Sequence, residues 1–233
     1  MAKKVFIDPG HSVSDPGAVS YEVERDLNEK VAKFMNEHLL ANYVCETKVD
    51  PVSNKSLSAV AESANAWGAD ILVSIHFNAG GGDGYEALVY GENNVAMGKV
   101  FEKHVLAIGQ NSRGVKLRPG LAVLRQSKMP AVLSEGAFVD NLKDIQDWNE
   151  DHELKKMGAA YADATAEWLG LEKKKADPVP EPAPKPAVGS TLYRVYDASG
   201  KQTGAYSYEE NAIKEAQKQL HAGGSTKITL SDK

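Results

Sequence analysis

Through residues 1–171, short apolar runs alternate with longer stretches in which apolar residues recur every three or four positions. Val5-Phe6-Ile7, closed off by Asp8-Pro9, reads as a buried strand. Leu27, Val31, Phe34, Met35 and Leu39 then mark one face of a helix starting near Glu24. A short strand is predicted over 44–49, and a helix over 57–67 that stops near Gly68. The strongest strand signal follows at 70–77, with further strands predicted at 85–90, 121–125 and 131–138. A closing helix carries Leu154, Met157, Tyr161 and Trp168. Strands interleaved with helices predict an α/β fold, a sheet with helices on both faces.

The pattern breaks at 176–189, where Pro178, Pro180, Pro182, Pro184 and Pro186 occupy every second position. Prolines so spaced fix φ and remove backbone donors, which predicts an extended spacer. Beyond it, 191–197, a turn at Ser199-Gly200, a helix over 208–220 and a strand at 227–230 predict a small α+β module of ββαβ or βαβ form. Tyr193, Tyr196, Tyr206 and Tyr208 could line a ligand strip on it or pack its core. The expected division is a catalytic domain at 1–171, a linker at 172–189 and a module at 190–233.

Composition narrows the classes. With 233 residues, 42% apolar and 25% charged, the chain can bury a real core. No stretch approaches a membrane span, and no signal peptide is recognisable, so synthesis in the cytoplasm is expected. Residues 1–171 hold 17 Lys+Arg against 24 Asp+Glu, an acidic balance that argues against nucleic acid as a partner. Cys45 is the single cysteine, so a metal would have to be held by histidines and carboxylates.

Two histidines stand where such a site is expected. His11 follows the first strand, and His76 ends the strongest one; in open α/β sheets that edge forms the ligand crevice. Glu24 begins the first helix, just after the loop that His11 opens, and Glu22 is its rival; either acid could instead favour the helix N-terminus. Two imidazoles and a carboxylate suit Zn²⁺ with one position left open. Glu135 finishes a buried strand, where a carboxylate is rare, and is the candidate acid/base; a structural ion pair is the alternative. No G-x-S-x-G elbow surrounds Ser134, and the glycines at 80–84 lack the Gly-Lys-Ser/Thr of a phosphate loop.

Four ordered blocks carry a resemblance: Asp8-Pro9-Gly10-His11 with Asp15-Pro16-Gly17-Ala18; Glu24-Arg25-Asp26-Leu27-Asn28; Ala64-Asn65, Trp67-Gly68-Ala69-Asp70 and Ser74-Ile75-His76-Phe77-Asn78-Ala79; and Val123-Leu124-Arg125 with Met129 to Glu135. Together they resemble the zinc-dependent N-acetylmuramoyl-L-alanine amidases. The resemblance implies a central mixed sheet flanked by helices, and hydrolysis of the amide between N-acetylmuramic acid and L-alanine in bacterial peptidoglycan. It implies one Zn²⁺ per catalytic domain, held by His11, Glu24 and His76, with Glu135 as acid/base, and it favours Glu24 over Glu22. Ser12, Lys48 and Ala61 depart from the family's usual residues without touching this ligand set. The tail is similar to small wall-binding modules, SPOR-like ones among them, through Leu192-Tyr193-Arg194-Val195 and the helix near Asn211-Ala212. The expected setting is a wall-lytic enzyme freed through a holin or by lysis of the host cell. A non-catalytic wall-binding protein and a zinc peptidase acting on stem peptides are the competing classes.

Overall fold

The computed structural model describes residues 2–51, 58–174, 192–197, 199–206, 212–217 and 227–231. The chain divides into two compact units, Met1–Lys175 and Ala176–Lys233.

The first unit holds six strands, β1 (Lys3–Pro9), β2 (Cys45–Val49), β3 (Ile71–Asn78), β4 (Tyr85–Val89), β5 (Ser112–Leu117) and β6 (Ala131–Phe138). Its helices are α1 (Glu24–Asn42), α2 (Ala59–Trp67), α3 (Val95–Ala107), α4 (Ala122–Arg125), α5 (Leu142–Gln146) and α6 (Asp151–Leu169). The sheet order is β2-β1-β3-β6-β4-β5. All neighbours are parallel except β4 and β6, so the sheet is mixed, as the resemblance implied. The C-terminal ends of β1, β3 and β6 therefore share an edge with the N-terminal ends of β4 and β5.

Alternation along the strands sorts side chains onto two faces. Val5, Ile7, Val73, Ile75 and Val132 pack under α1, α3 and α6 in the main core. Phe6, Leu72, Leu88 and Leu133 face the other way, against Val60 and Ala64 of α2 and Leu124 of α4. Each such side chain contributes about 1.5–3 kcal/mol on burial. On the second face the apolar rows give way, toward the shared edge, to Asp8, Ser74, His76, Glu135 and Glu86. Polar side chains rarely finish buried strands, and here they mark the uncovered half of the sheet.

Two expectations are corrected. Residues 121–125, predicted as a strand, form the short helix α4: Leu124 and Arg125 donate their N–H groups to the Leu121 carbonyl, and Leu124 alone is buried there. A short apolar run does not distinguish a strand from one helical turn. α3 and β5 were not anticipated. Residues 172–174 are also tied to the domain rather than set apart from it, through the Tyr43 and Lys173 bridge and a bond from the Val44 N–H to the Glu172 carbonyl.

In the second unit β7 (Leu192–Tyr196), β8 (Gln202–Tyr206) and β9 (Lys227–Ser231) pair antiparallel in the order β8-β7-β9. A helix, α7, is described over 212–217, which gives the ββαβ form of the two expected. Val195, Ala212 and Ala216 make its small core, with Tyr193 packed against them. The proline-alternating segment, Tyr208 and the Tyr206 side chain lie outside the described residues.

Candidate metal centre and active site

The edge of β1, β3 and β6 is where the sequence collects its chemistry. β2 lies on one side of β1 and β3 on the other, so the connections diverge between β1 and β3, the position at which open sheets form a crevice. His11 follows β1 and His76 lies near the end of β3, one on each side of that point.

The loop after β1 is bent to aim His11. Its φ of 70° is left-handed, a conformation that costs a residue with a side chain of order 1–3 kcal/mol. The first turn of α1 holds the loop. Asn28 donates to the Gly10 carbonyl at 3.1 Å, and Glu24 Oε2 accepts the Ala18 N–H at 2.9 Å. Glu24 and Asn28 are four residues apart on one helical face, which is what their spacing achieves.

His11 Nε2 and His76 Nδ1 each lie 2.9 Å from the same oxygen, Glu24 Oε1. One ligand atom from each of the three residues fits within 4.8 Å. The two rings meet edge to face, 4.9 Å between centroids. Behind them Asp15 lies 3.4 Å from His11 Nδ1, and the Phe77 N–H donates to Glu24 Oε1. Carboxylate and backbone partners of this kind fix ligand orientation. Glycine is needed at two places: a Cβ on Gly10 would come within 2.2 Å of His76 Nε2, and one on Gly17, at φ 72°, within 2.5 Å of Glu24 Oε2. A nitrogen, nitrogen, oxygen set packed this closely matches the donors and spacing of a divalent transition metal.

The electrostatics agree. Burial pushes the Glu24 carboxyl up, but hydrogen bonds from His11 and His76 outweigh it and hold the pKa at about 2. Burial pushes His76 down, while Glu24 and nearby Glu135 bring it up to about 8. His11 is raised as well, chiefly by its bond to Glu24. Glu135, beside His76 in the β3–β6 register, is pushed up to about 7 by burial, with the carboxylates of Glu24 and Glu86 adding to it. Its Oε2 is buried with no hydrogen-bond partner, and no ion pair holds it among the described residues.

Of the predicted site residues, then, His11, Glu24 and His76 come together and Glu135 stands on the adjacent strand. Glu22 instead accepts from Asn149 at 3.3 Å and is not part of the cluster. His38 pairs with Asp163, His104 with Glu167 and His152 with Glu153, all outside the cluster. Sequence reasoning passed over Asp8, which accepts from Ser74 at 2.7 Å on the same face, and Glu86 on β4. Glu86 had a usable signal, a carboxylate within the apolar run of β4, which is the argument that found Glu135.

An α/β sheet with His11, Glu24 and His76 gathered at this edge could hold a metal ion there. More narrowly, the family model described as N-acetylmuramoyl-L-alanine amidase matches residues 5–167, and the chain belongs to that family. It is 32% identical to the endolysin of Bacillus phage SPP1 over 82% of this chain and 75% of that protein. It is 29% identical to the sporulation-specific N-acetylmuramoyl-L-alanine amidase of Bacillus subtilis, over 98% of this chain and 85% of that one. Among solved structures, the N-acetylmuramoyl-L-alanine amidase from Clostridium difficile 630 superposes with a TM-score of 0.69 at 27% identity, over 72% of this chain and 97% of the other. The function that goes with the family is peptidoglycan hydrolysis at the muramoyl–alanine amide. Among the described residues no helix is long and apolar enough to cross a membrane.

Proposed function

We propose that this amidase is zinc-dependent, that His11, Glu24 and His76 hold the ion, and that Glu135 moves the proton. The observation that carries this reading is the convergence of two imidazole nitrogens on one carboxylate oxygen, beside Glu135, whose Oε2 is buried without a hydrogen-bond partner. Bound there, Zn²⁺ would act as a Lewis acid that polarises the amide carbonyl and acidifies water.

The residues divide the remaining work. Glu24, anionic down to about pH 2, offers a full negative charge to a cation. His11 and His76 present neutral nitrogens once a metal replaces the protons that their bonds to Glu24 require. Glu135 takes a proton from the attacking water as the carbon–oxygen bond forms, and gives it to the alanine nitrogen as the carbon–nitrogen bond breaks. A carboxyl pushed up to about 7 can do both near neutrality. An amine leaves poorly unless protonated, so the carbon–nitrogen bond breaks together with this transfer. A passive wall-binding role gives no reason for a Glu135 carboxyl oxygen buried without a partner.

We read Met1–Lys175 as the catalytic domain, 176–189 as the linker and 190–233 as a module that keeps the enzyme near an insoluble wall, where tethering raises effective concentration. Digestion of purified walls tests both readings. The full chain should release alanine amino termini without new reducing sugars, and a chain ending at Lys175 should still do so on soluble muropeptides while binding walls less. New reducing sugars would point to glycan cleavage, and amino termini other than alanine to a stem peptidase. An inactive chain ending at Lys175 would make the tail part of the active site.

A further inference from the structure

His76 on β3, Glu135 on β6 and Glu86 on β4 lie in register across one face of the sheet. The His11, Glu24 and His76 cluster lies on the β3 side of Glu135. On its β4 side is a pocket of about 380 Å³ whose walls include Glu135, Glu86, Phe138, Arg113, Lys116 and Arg118. A second opening, of about 460 Å³, contains His11 and His76 and is walled in part by Val60, Leu121 and Leu133. The metal cluster and Glu135 thus stand between a cationic pocket and a more apolar one.

We propose that Arg113, Lys116 and Arg118 form a subsite for a free carboxylate of the stem peptide, so that the peptide lies over β4 and β5 and the sugar over the His11 side. This rests on the amidase reading above, and three observations support it.

The first is charge. Residues 1–171 are acidic overall, with 17 Lys+Arg against 24 Asp+Glu, yet three cations gather at this pocket. Arg113 Nε and Lys116 Nζ both bond to Glu86 Oε1, which is buried. One cation neutralises Glu86, which leaves two in excess while Glu135 is protonated and one when it is ionised. The second is organisation. Glu86 anchors Arg113 at Nε while its guanidinium lies 5.2 Å over the Phe138 ring, and its two terminal nitrogens make no hydrogen bond among the described residues. A planar fork fixed at one nitrogen and open at the others suits a carboxylate.

The third is direction. Glu135 protonates the nitrogen that leaves with the peptide, so the peptide departs on Glu135's side of the metal cluster, where this pocket lies. β4 is one strand from β6 and β5 two, which places Arg113, nearly level with Glu86 and Glu135, about 10 Å from Glu135 at about 4.8 Å per strand, with Lys116 and Arg118 further along β5 and its end. Arg113 reaches back over Phe138 of β6, so an extended chain covers the remaining gap in about two residues at about 3.4 Å each. Alanine spends its carboxyl on the next peptide bond, so the first carboxylate within reach belongs to the second residue of the stem.

The test uses two N-acetylmuramoyl dipeptides, L-alanine followed by D-glutamate, with the γ-carboxyl amidated in both and the α-carboxylate free in one and amidated in the other. The zinc-loaded full chain should cleave the free form with a kcat/KM about 10- to 100-fold higher, mostly through KM, the usual worth of a charge-assisted pair. The Arg113→Gln, Arg118→Gln double variant should bring the ratio close to one. Arg113 also buttresses Glu86, so Arg118→Gln alone is the second variant; among the described residues its guanidinium bonds only the adjacent Leu117 carbonyl, and it should reduce the ratio several-fold. Equal cleavage of both substrates by the unmodified chain overturns the subsite alone. So does an unchanged ratio in double and single variants that retain their zinc. Failure to cleave either substrate overturns the amidase reading itself.

Discussion

Glu135→Gln is expected to keep its zinc and its fold while losing on the order of 10²–10⁴-fold in turnover, the range usual for an acid/base group. Glutamine preserves the shape but cannot accept the proton from water or pass it to the alanine nitrogen. Oε2 of Glu135 has no partner to lose, so the substitution deprives no neighbouring donor of its acceptor, and the amide oxygen can take the buried position. Replacing a carboxyl already pushed up by burial with a neutral amide should cost little stability. Turnover on muropeptides and zinc content of the same preparation check the two halves. A near-wild-type rate would make Glu135 structural, and loss of zinc would make it a ligand.

His76→Ala should lose the metal and with it the activity. If the about 10–16 kcal/mol typical of a four-ligand zinc site is shared evenly, each bond carries about 3 kcal/mol, or on the order of 10²-fold in affinity. The variant also strips a donor from Glu24, a buried carboxylate, which adds about 1–3 kcal/mol of destabilisation. Its thermal unfolding should therefore be compared with that of the metal-free parent. His38→Ala is the control: that ring pairs with Asp163 between α1 and α6, away from the cluster, and the variant should bind zinc as the parent does. Zinc retained at parent affinity by His76→Ala would remove His76 from the ligand set.

The two buried centres of the sheet were readable in advance and its far side was not. The first halves of β1, β3 and β6 are enclosed on both faces and appear as short apolar runs, Val5-Phe6-Ile7, Ile71-Leu72-Val73 and Ala131-Val132-Leu133, and α1 and α6 show their buried stripe every three or four residues. β5 is an edge strand, half-exposed and interrupted by Gly114 at φ 90°, so it offers no such run. α3 does repeat Met97, Phe101 and Val105 four apart, and was missed without that excuse. The site divides in the same way. His11, Glu24, His76 and Glu135 stand in or next to recognisable local patterns, whereas Arg113 and Lys116 meet Glu86 only because β4 runs antiparallel to β6 and β5 pairs with β4. That proximity is made by tertiary pairing, and no local spacing encodes it.

The most direct measurement is a zinc titration of the chelator-stripped full chain, following release of alanine amino termini from purified walls. The account predicts negligible release without metal, a linear rise with added zinc and a break at about one equivalent per chain, the stoichiometry of a single three-residue cluster. Full release by the stripped protein, with zinc adding nothing, would contradict it.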